Sequence, residues 1–422
     1  MALITKLILE SFRFAWNALR MNAFRTTLSL LGVTVGIFAI IGVFTVVDSL
    51  EKSIKDSLSF LGTGVIYVDK WPFTADESGE FRWWDFWRRP NPSYSEFKFL
   101  EENLSSYSSI AIFAGDGSSV IKYKSNSYEE ADVRGGSHNY NQIFDVPVET
   151  GRYFTENESA RGSNVAIIGT KVKESLFVNN ENPLGKEIKI RNRKYTIIGV
   201  MEYEGESFLG DNSNDKNIII PYGSFRKMFN TGTGRWNEKT SRIGLKGMES
   251  DVGLVQMEYE LIGKLRSRRG LRPKDKDNFA LNRPEAIANI IGGVFDVLGL
   301  AGWFIGGFSI LVGGFGIANI MFVSVRERTN IIGIQKSLGA KNYFVLFQFL
   351  FEAVFLSVLG GGAGLFLVYL LSFASLGSLE LTLTFQNIVL GLGVSASIGM
   401  ISGIIPAALA ARMDPVEAIR TA

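Results

Sequence analysis

The residue types that most often carry chemistry are scarce in this sequence. Its 422 residues include one histidine, His138, and no cysteine. The nitrogen and thiolate ligands of zinc and haem sites are therefore missing, and no metal site is expected. No phosphate-binding loop of the Walker type (Gly, four residues, Gly-Lys, then Ser or Thr) occurs, so the chain has no nucleotide cradle of its own. The acids of the middle region form no pair or triad spaced to share a proton. No catalytic residue is assigned, and no enzymatic activity is expected. Two acids, Asp296 and Glu352, interrupt otherwise apolar stretches. Embedded charge marks ion paths and proton relays, and two such acids are too few for a proton- or sodium-coupled carrier.

The elements that would position these residues fall into two populations. Hydrophobic residues make up 46% of the chain and glycines number 45, but the long apolar runs lie at residues 27–47 and 287–410. A hydrocarbon core of about 30 Å takes roughly 20 apolar residues per helix. The expected organisation begins with a basic interfacial helix at 1–26 and a first span with a helical stalk at 27–61. A large mixed α+β domain follows at 62–284, then a stalk and second span at 285–325. A short loop at 326–342, a third span at 343–371, a fourth at 385–411 and a tail at 412–422 complete the chain. The uncharged stretch at 287–325 would reach about 58 Å as one helix, nearly twice the hydrocarbon thickness. A second stalk pairing with the first accounts for the excess. Positive charge flanks the N-terminus, the 326–341 loop and the C-terminus, which places all three in the cytoplasm and the 62–284 domain outside it. The net charge of +2 gives no case for nucleic acid. An exported domain without cysteine must rest on its apolar core rather than on disulfides.

Within 62–284, strands are expected at 65–68, 119–122, 165–168, 187–190, 195–200 and 217–220, and helices near 95–104, 170–177 and 252–266. A domain of this size can divide into two lobes. Four of the seven tryptophans, Trp71, Trp83, Trp84 and Trp87, cluster with Phe73 and several arginines. Trp and Arg together suit a binding hot spot or a membrane interface. One reading is a loop that grips a partner, lipid or cargo; the other is a lid on its own domain's core. The basic run at 266–269 reads as solvated surface.

In the spans, Gly32 and Gly36, and Gly360 and Gly364, have the small-xxx-small spacing that lets helices approach closely. Gly313 and Gly316 lie in a third glycine-rich segment. In the loop, the apolar Ile331, Ile332 and Ile334 need a surface to cover. A short helix with Glu327 at its start and Lys336 near its end would agree with its own dipole.

These residues also form a family pattern. Gly313-Gly314-Phe315-Gly316-Ile317-Ala318-Asn319-Ile320-Met321 leads into Val323-Ser324-Val325-Arg326-Glu327-Arg328-Thr329 and on to Ile331-Ile332-Gly333-Ile334-Gln335-Lys336-Ser337-Leu338-Gly339-Ala340. This resembles the FtsX-like permease domain of the MacB superfamily. Gly403-Ile404-Ile405-Pro406-Ala407 and the closing Ala411-Arg412-Met413-Asp414-Pro415-Val416-Glu417-Ala418-Ile419 resemble the same family's ending, and Leu31-Gly32-Val33-Thr34-Val35-Gly36 its first span. The middle domain resembles a MacB-like periplasmic core in position and size more than in residues.

The resemblance implies an ABC transporter permease of the mechanotransmission kind in the bacterial inner membrane. It implies a cytoplasmic ATPase subunit as a separate chain carrying ATP and Mg, and no cofactor on this one. A second permease copy or paralogue, membrane lipid, and a periplasmic adaptor with an outer-membrane channel are the further partners it suggests. It makes the 326–341 loop the coupling helix, with Arg326, Glu327, Arg328, Thr329 and Lys336 docking beside the three isoleucines. The tail from Asp414 is either a second contact or a capped terminal helix. Export of a peptide, toxin or amphiphile is the leading function. A lipoprotein-releasing permease, an FtsX-like regulator of a cell-wall hydrolase and a sensor without an ATPase are the alternatives.

Overall fold

The structure, a computed structural model, describes residues 23–58, 62–74, 81–144, 146–178, 181–205, 213–232, 238–373, 379 and 381–420. Residues 1–22 of the expected interfacial helix and most of the link at 372–381 lie outside the described residues. Two compact units form, one from residues up to Lys52 together with Gly293–Ala422, the other from Ser53–Gly292.

Among the described residues, four helices are long and apolar enough to cross a membrane: Leu30–Ser57 within the helix Ala23–Leu58, then Pro284–Glu327, Asn342–Ser372 and Phe385–Arg412. The second is a single 44-residue helix, about 66 Å long at 1.5 Å per residue. Its glycines do not interrupt it.

Small residues set the packing of the membrane unit. A Cβ on Gly36 would sit 3.2 Å from the Ser309 carbonyl, one on Gly313 would sit 3.2 Å from Val33 Cα, and Gly32 faces Gly313. Gly360 and Gly364 turn the third helix onto the first, where a Cβ would meet Val33 at 3.2 Å and the Thr34 carbonyl at 2.7 Å. Thr34 Oγ1 donates to the Gly360 carbonyl across the same seam at 3.1 Å. Gly316 is half-buried. The third and fourth helices are joined by a reciprocal pair in which the Ser357 hydroxyl donates to the Ser395 carbonyl and the Ser395 hydroxyl to the Ser357 carbonyl, each at 2.5 Å.

The other unit is built on one ten-stranded mixed sheet. Its strands are β1 (Val65–Asp69), β2 (Tyr107–Tyr123), β3 (Asn126–Gly136), β4 (Val148–Gly151), β5 (Val165–Ile168), β6 (Glu187–Ile190), β7 (Arg193–Met201), β8 (Asn217–Pro221), β9 (Ser241–Gly247) and β10 (Ala280–Asn282). The order is β10-β1-β9-β2-β3-β8-β5-β7-β4, with β6 pairing β2 and β7. Side chains alternate between faces along a strand. Ile66 and Val68, Ile110 and Ile112, and Ile218 and Ile220 therefore enter one core with Leu100, Met257 and Leu261. Tyr67, Ala111 and Ile219 enter a second core with Tyr140 and Ile143. Arg269 of the expected solvated run is instead buried, with Nε 2.7 Å from Glu96 Oε1.

Candidate functional site at the loop 326–341

The second membrane helix ends at Glu327, and Arg328 is the N-cap of a separate nine-residue helix, Thr329–Ser337. Glu327 thus closes the long helix instead of opening the short one, so the dipole argument from sequence does not apply to it. Gly339, at φ 95°, takes the left-handed conformation that ends the loop helix.

Two cations of the loop are held inside the membrane unit. Arg328 Nη1 lies 3.1 Å from Glu352 Oε2, and the Ser324 hydroxyl donates to Glu352 Oε1 at 3.3 Å. Lys336 Nζ donates to the carbonyls of Ala411 at 2.8 Å and Met413 at 2.6 Å, the orphan acceptors at the end of the fourth membrane helix. The Thr329 hydroxyl donates to the Val325 and Arg326 carbonyls. Arg326 and Glu327 are exposed.

The three isoleucines divide. Ile332 is buried in the membrane unit's core, whereas Ile331 and Ile334 keep 52% and 48% of their surface, and Leu338 keeps 83%. The loop helix packs on a six-residue tail helix, Pro415–Arg420. At this crossing a Cβ on Gly333 would stand 3.0 Å from Ala418 Cβ and from Ile419 Cγ1. The tail helix adds two exposed apolar residues, Val416 at 66% and Ile419 at 44%. Its start is capped, since the Asp414 side chain accepts from the Val416 N–H at 2.8 Å and Pro415 occupies the first position. The capped-helix reading and an exposed apolar surface thus coexist in the tail. The result is an apolar surface from two segments, braced by Arg328 and Lys336. Leu338, Val416 and Ile419 were not singled out from the sequence, and Glu352 was read there only as an embedded acid, not as the partner of Arg328. Helical spacing at 331, 334 and 338 was the signal for the first of them.

The tryptophan cluster divides too. Phe86 is buried, while Trp83, Trp84 and Trp87 of the short helix Trp83–Trp87 are exposed. Lys70 Nζ lies 5.6 Å from the ring centroids of both Trp71 and Trp87. Asn282 ties the loop to β10, donating to the Trp71 carbonyl at 2.7 Å and accepting from the Phe73 N–H at 2.8 Å. Phe73 packs against the second core. Among the described residues no cluster of three metal-ligating side chains occurs.

Comparison with known proteins places the MacB-like periplasmic core domain family on residues 26–254 and the FtsX-like permease C-terminal family on residues 303–415. The chain is 30% identical over 420 residues to the pyoverdine export ATP-binding/permease protein PvdT of Pseudomonas aeruginosa, covering 98% of this chain and 58% of that protein. It is 29% identical over 419 residues to the PvdT protein of Pseudomonas fluorescens strain Pf0-1, covering 98% of this chain and 59% of that protein. The chain thus spans less than two thirds of the length of these relatives. Among solved structures, the periplasmic region of MacB from Actinobacillus actinomycetemcomitans is 20% identical, with a TM-score of 0.43 over 56% of this chain and 95% of that chain.

Proposed function

The chain belongs to the family of the MacB-like periplasmic core domain, and from that premise we propose that it is the permease part of an ABC transporter that exports a peptide, toxin or amphiphile. In this reading the chain spans the bacterial inner membrane, with both termini and the 326–341 loop in the cytoplasm and residues 62–284 outside it. An ATPase carrying ATP and Mg docks on the loop helix and the tail helix. Its closure moves the outer domain by mechanotransmission, with a second permease copy or paralogue completing the pair.

The observation that carries this reading is the exposed set Ile331, Ile334, Leu338, Val416 and Ile419 on helices fixed by the Arg328–Glu352 pair and the Lys336 contacts. Apolar side chains held rigidly outward are suited to be interface anchors. Scarcity of charge inside the spans argues against an ion-coupled carrier as the alternative.

The test is co-purification of the full chain with its candidate ATPase, comparing wild type with Ile334→Glu, Leu338→Glu and Glu327→Ala. Loss of complex and of permease-dependent ATP turnover in the two apolar variants is expected. Unchanged complex formation and turnover in both would sink the docking role.

A further inference from the structure

The sheet face that carries Tyr67 and Phe113 is short of side chains near its centre. In the β2–β3 register Phe113 stands opposite Gly136 and Gly115 opposite Arg134; on the other side of β2, Phe113 pairs with Arg242 of β9. Two glycines of this region are roofed by rings. A Cβ on Gly136 would meet Tyr140 Cγ at 2.8 Å, and one on Gly244 would meet Tyr67 Cε1 at 3.1 Å. Gly115 differs. A Cβ there would find only Asp132 Oδ1 at 3.6 Å and Arg134 Cγ at 3.9 Å, ordinary contacts with nothing closer.

Beside Gly115 lies a cavity of about 230 Å³ whose walls include Tyr67, Phe73, Phe113, Tyr140 and Phe144. The rings are mutually packed. Centroids of Phe113 and Phe144 are 4.8 Å apart, those of Tyr140 and Phe144 4.5 Å, and those of Tyr67 and Phe113 6.0 Å. A cavity of about 150 Å³ accepts benzene, and drug-sized ligands occupy about 300–1,000 Å³. The volume therefore suits one ring system and little more.

The charged lining selects the guest's sign. Aromatic cages attract cations, but here two guanidiniums and one carboxylate, Asp132, share the lining, and that carboxylate is paired with Arg134. Arg242 Nε lies 2.6 Å from Asp69 Oδ2, and Arg134 Nε lies 2.8 Å from Asp132 Oδ2. The Asp69 side chain has no exposed surface, whereas that of Arg242 retains 44%. Arg242, paired through Nε, keeps further N–H donors for an oxyanion; Arg134, which also bonds Tyr140, keeps fewer. Burial pushes the Tyr67 and Tyr140 hydroxyls up, which keeps both neutral and adds no negative charge.

We propose that this cavity binds a single aromatic ring system bearing a carboxylate, supplied either by a small aromatic acid or by the C-terminal aromatic residue of a polypeptide. The ring stacks among the aromatic walls and the carboxylate meets Arg242 and Arg134. All lining residues lie within one unit, so binding does not rest on ATPase coupling and fails or succeeds independently of it.

The test uses the full chain in lipid nanodiscs, titrated calorimetrically against empty nanodiscs. The probes are indole-3-acetate, indole-3-acetamide, and a decapeptide ending in Trp with its carboxylate free or amidated. One saturable site per chain is expected for an acid probe, at least about tenfold tighter than for its amide. Saturable binding of the small acid or of the free-carboxylate peptide identifies which source fits. Gly115→Ile, a β-branched residue suited to a strand, fills the cavity and weakens the acid by at least about tenfold. Phe144→Leu removes one wall and weakens it in the same direction, which keeps the test valid should the first variant fail to fold. The proposal is overturned by no saturable binding of either acid, by equal affinity for acid and amide, or by unaltered binding in the folded variants.

Discussion

Arg328, the residue between the second membrane helix and the loop helix, is tied to Glu352 of the third helix, with Nη1 3.1 Å from Oε2. Glu352 is almost wholly enclosed and Arg328 mostly so. Removing one partner of such a pair leaves the other charge uncompensated, which costs far more than the pair contributes net. Glu352→Gln is therefore expected to lower the unfolding free energy in detergent by about 3 kcal/mol. The double variant Arg328→Gln with Glu352→Gln should recover part of that loss, and strictly additive losses would show the two side chains to be uncoupled.

Gly364 and Gly362 separate close packing from mere glycine content. A Cβ on Gly364 would meet backbone atoms of the first helix, the Thr34 carbonyl at 2.7 Å and the Phe38 nitrogen at 3.0 Å, whereas nothing lies within 4 Å at Gly362. Gly364→Val should destabilise by about 3 kcal/mol and Gly362→Val by less than about 0.5 kcal/mol. Thermal melting of the two variants side by side checks this, and equal shifts would refute it.

Lys336 holds the end of the fourth helix through two carbonyls. Lys336→Met keeps the length of the side chain and removes its donors. Amide hydrogen exchange over residues 415–420 is expected to speed by about fivefold or more, the equivalent of one lost charge-assisted bond. Unchanged exchange would show that the Gly333–Ala418 contact alone fixes the tail.

In the outer domain, Glu158 completes a capping box with Thr155, and hydrogen bonds from Arg152 at 2.8 Å hold its carboxyl down to about 2. The Thr155 N–H and hydroxyl add to that pull. A depressed folded-state value contributes stability that is complete above the ordinary value of 4.5 and is lost as pH falls through 2. Glu158→Gln should therefore cost about 1 kcal/mol at neutral pH. That difference should shrink between pH 4.5 and 2, and a deficit constant with pH would count against it.

The spans were legible because about 20 consecutive apolar residues have few other uses. The two stretches that overshoot that length are helical, to Leu58 and from Pro284. Strands such as Val165–Ile168 and Asn217–Pro221 were legible as β-branched runs. The first half of β2 was not, because Gly115-Asp116-Gly117 looks like a turn; the register shift between Asp116 and Ser119 shows the chain bulging there within a 17-residue strand. β3 also escaped notice, its alternation masked by exposed acids at Glu129 and Glu130. In the loop, sequence spacing alone could not tell Ile332 from Ile331 and Ile334. Their separation depends on the tail helix, which arrives from about 80 residues further along the chain. The Arg328–Glu352 and Lys336–Ala411 contacts are likewise nonlocal, so both cations read as surface charges.

The crossing at Gly333 and Ala418 has a consequence for mimicry. The exposed apolar set is a conformational epitope, assembled from two stretches that are distant in sequence. A synthetic copy of Thr329–Ser337 has nine residues, below the roughly 12–15 at which an isolated helix becomes even marginal in water. Such a peptide would compete poorly for whatever the intact surface engages. A useful antagonist would have to present both strips at the spacing that a hydrogen atom, in place of a side chain, allows.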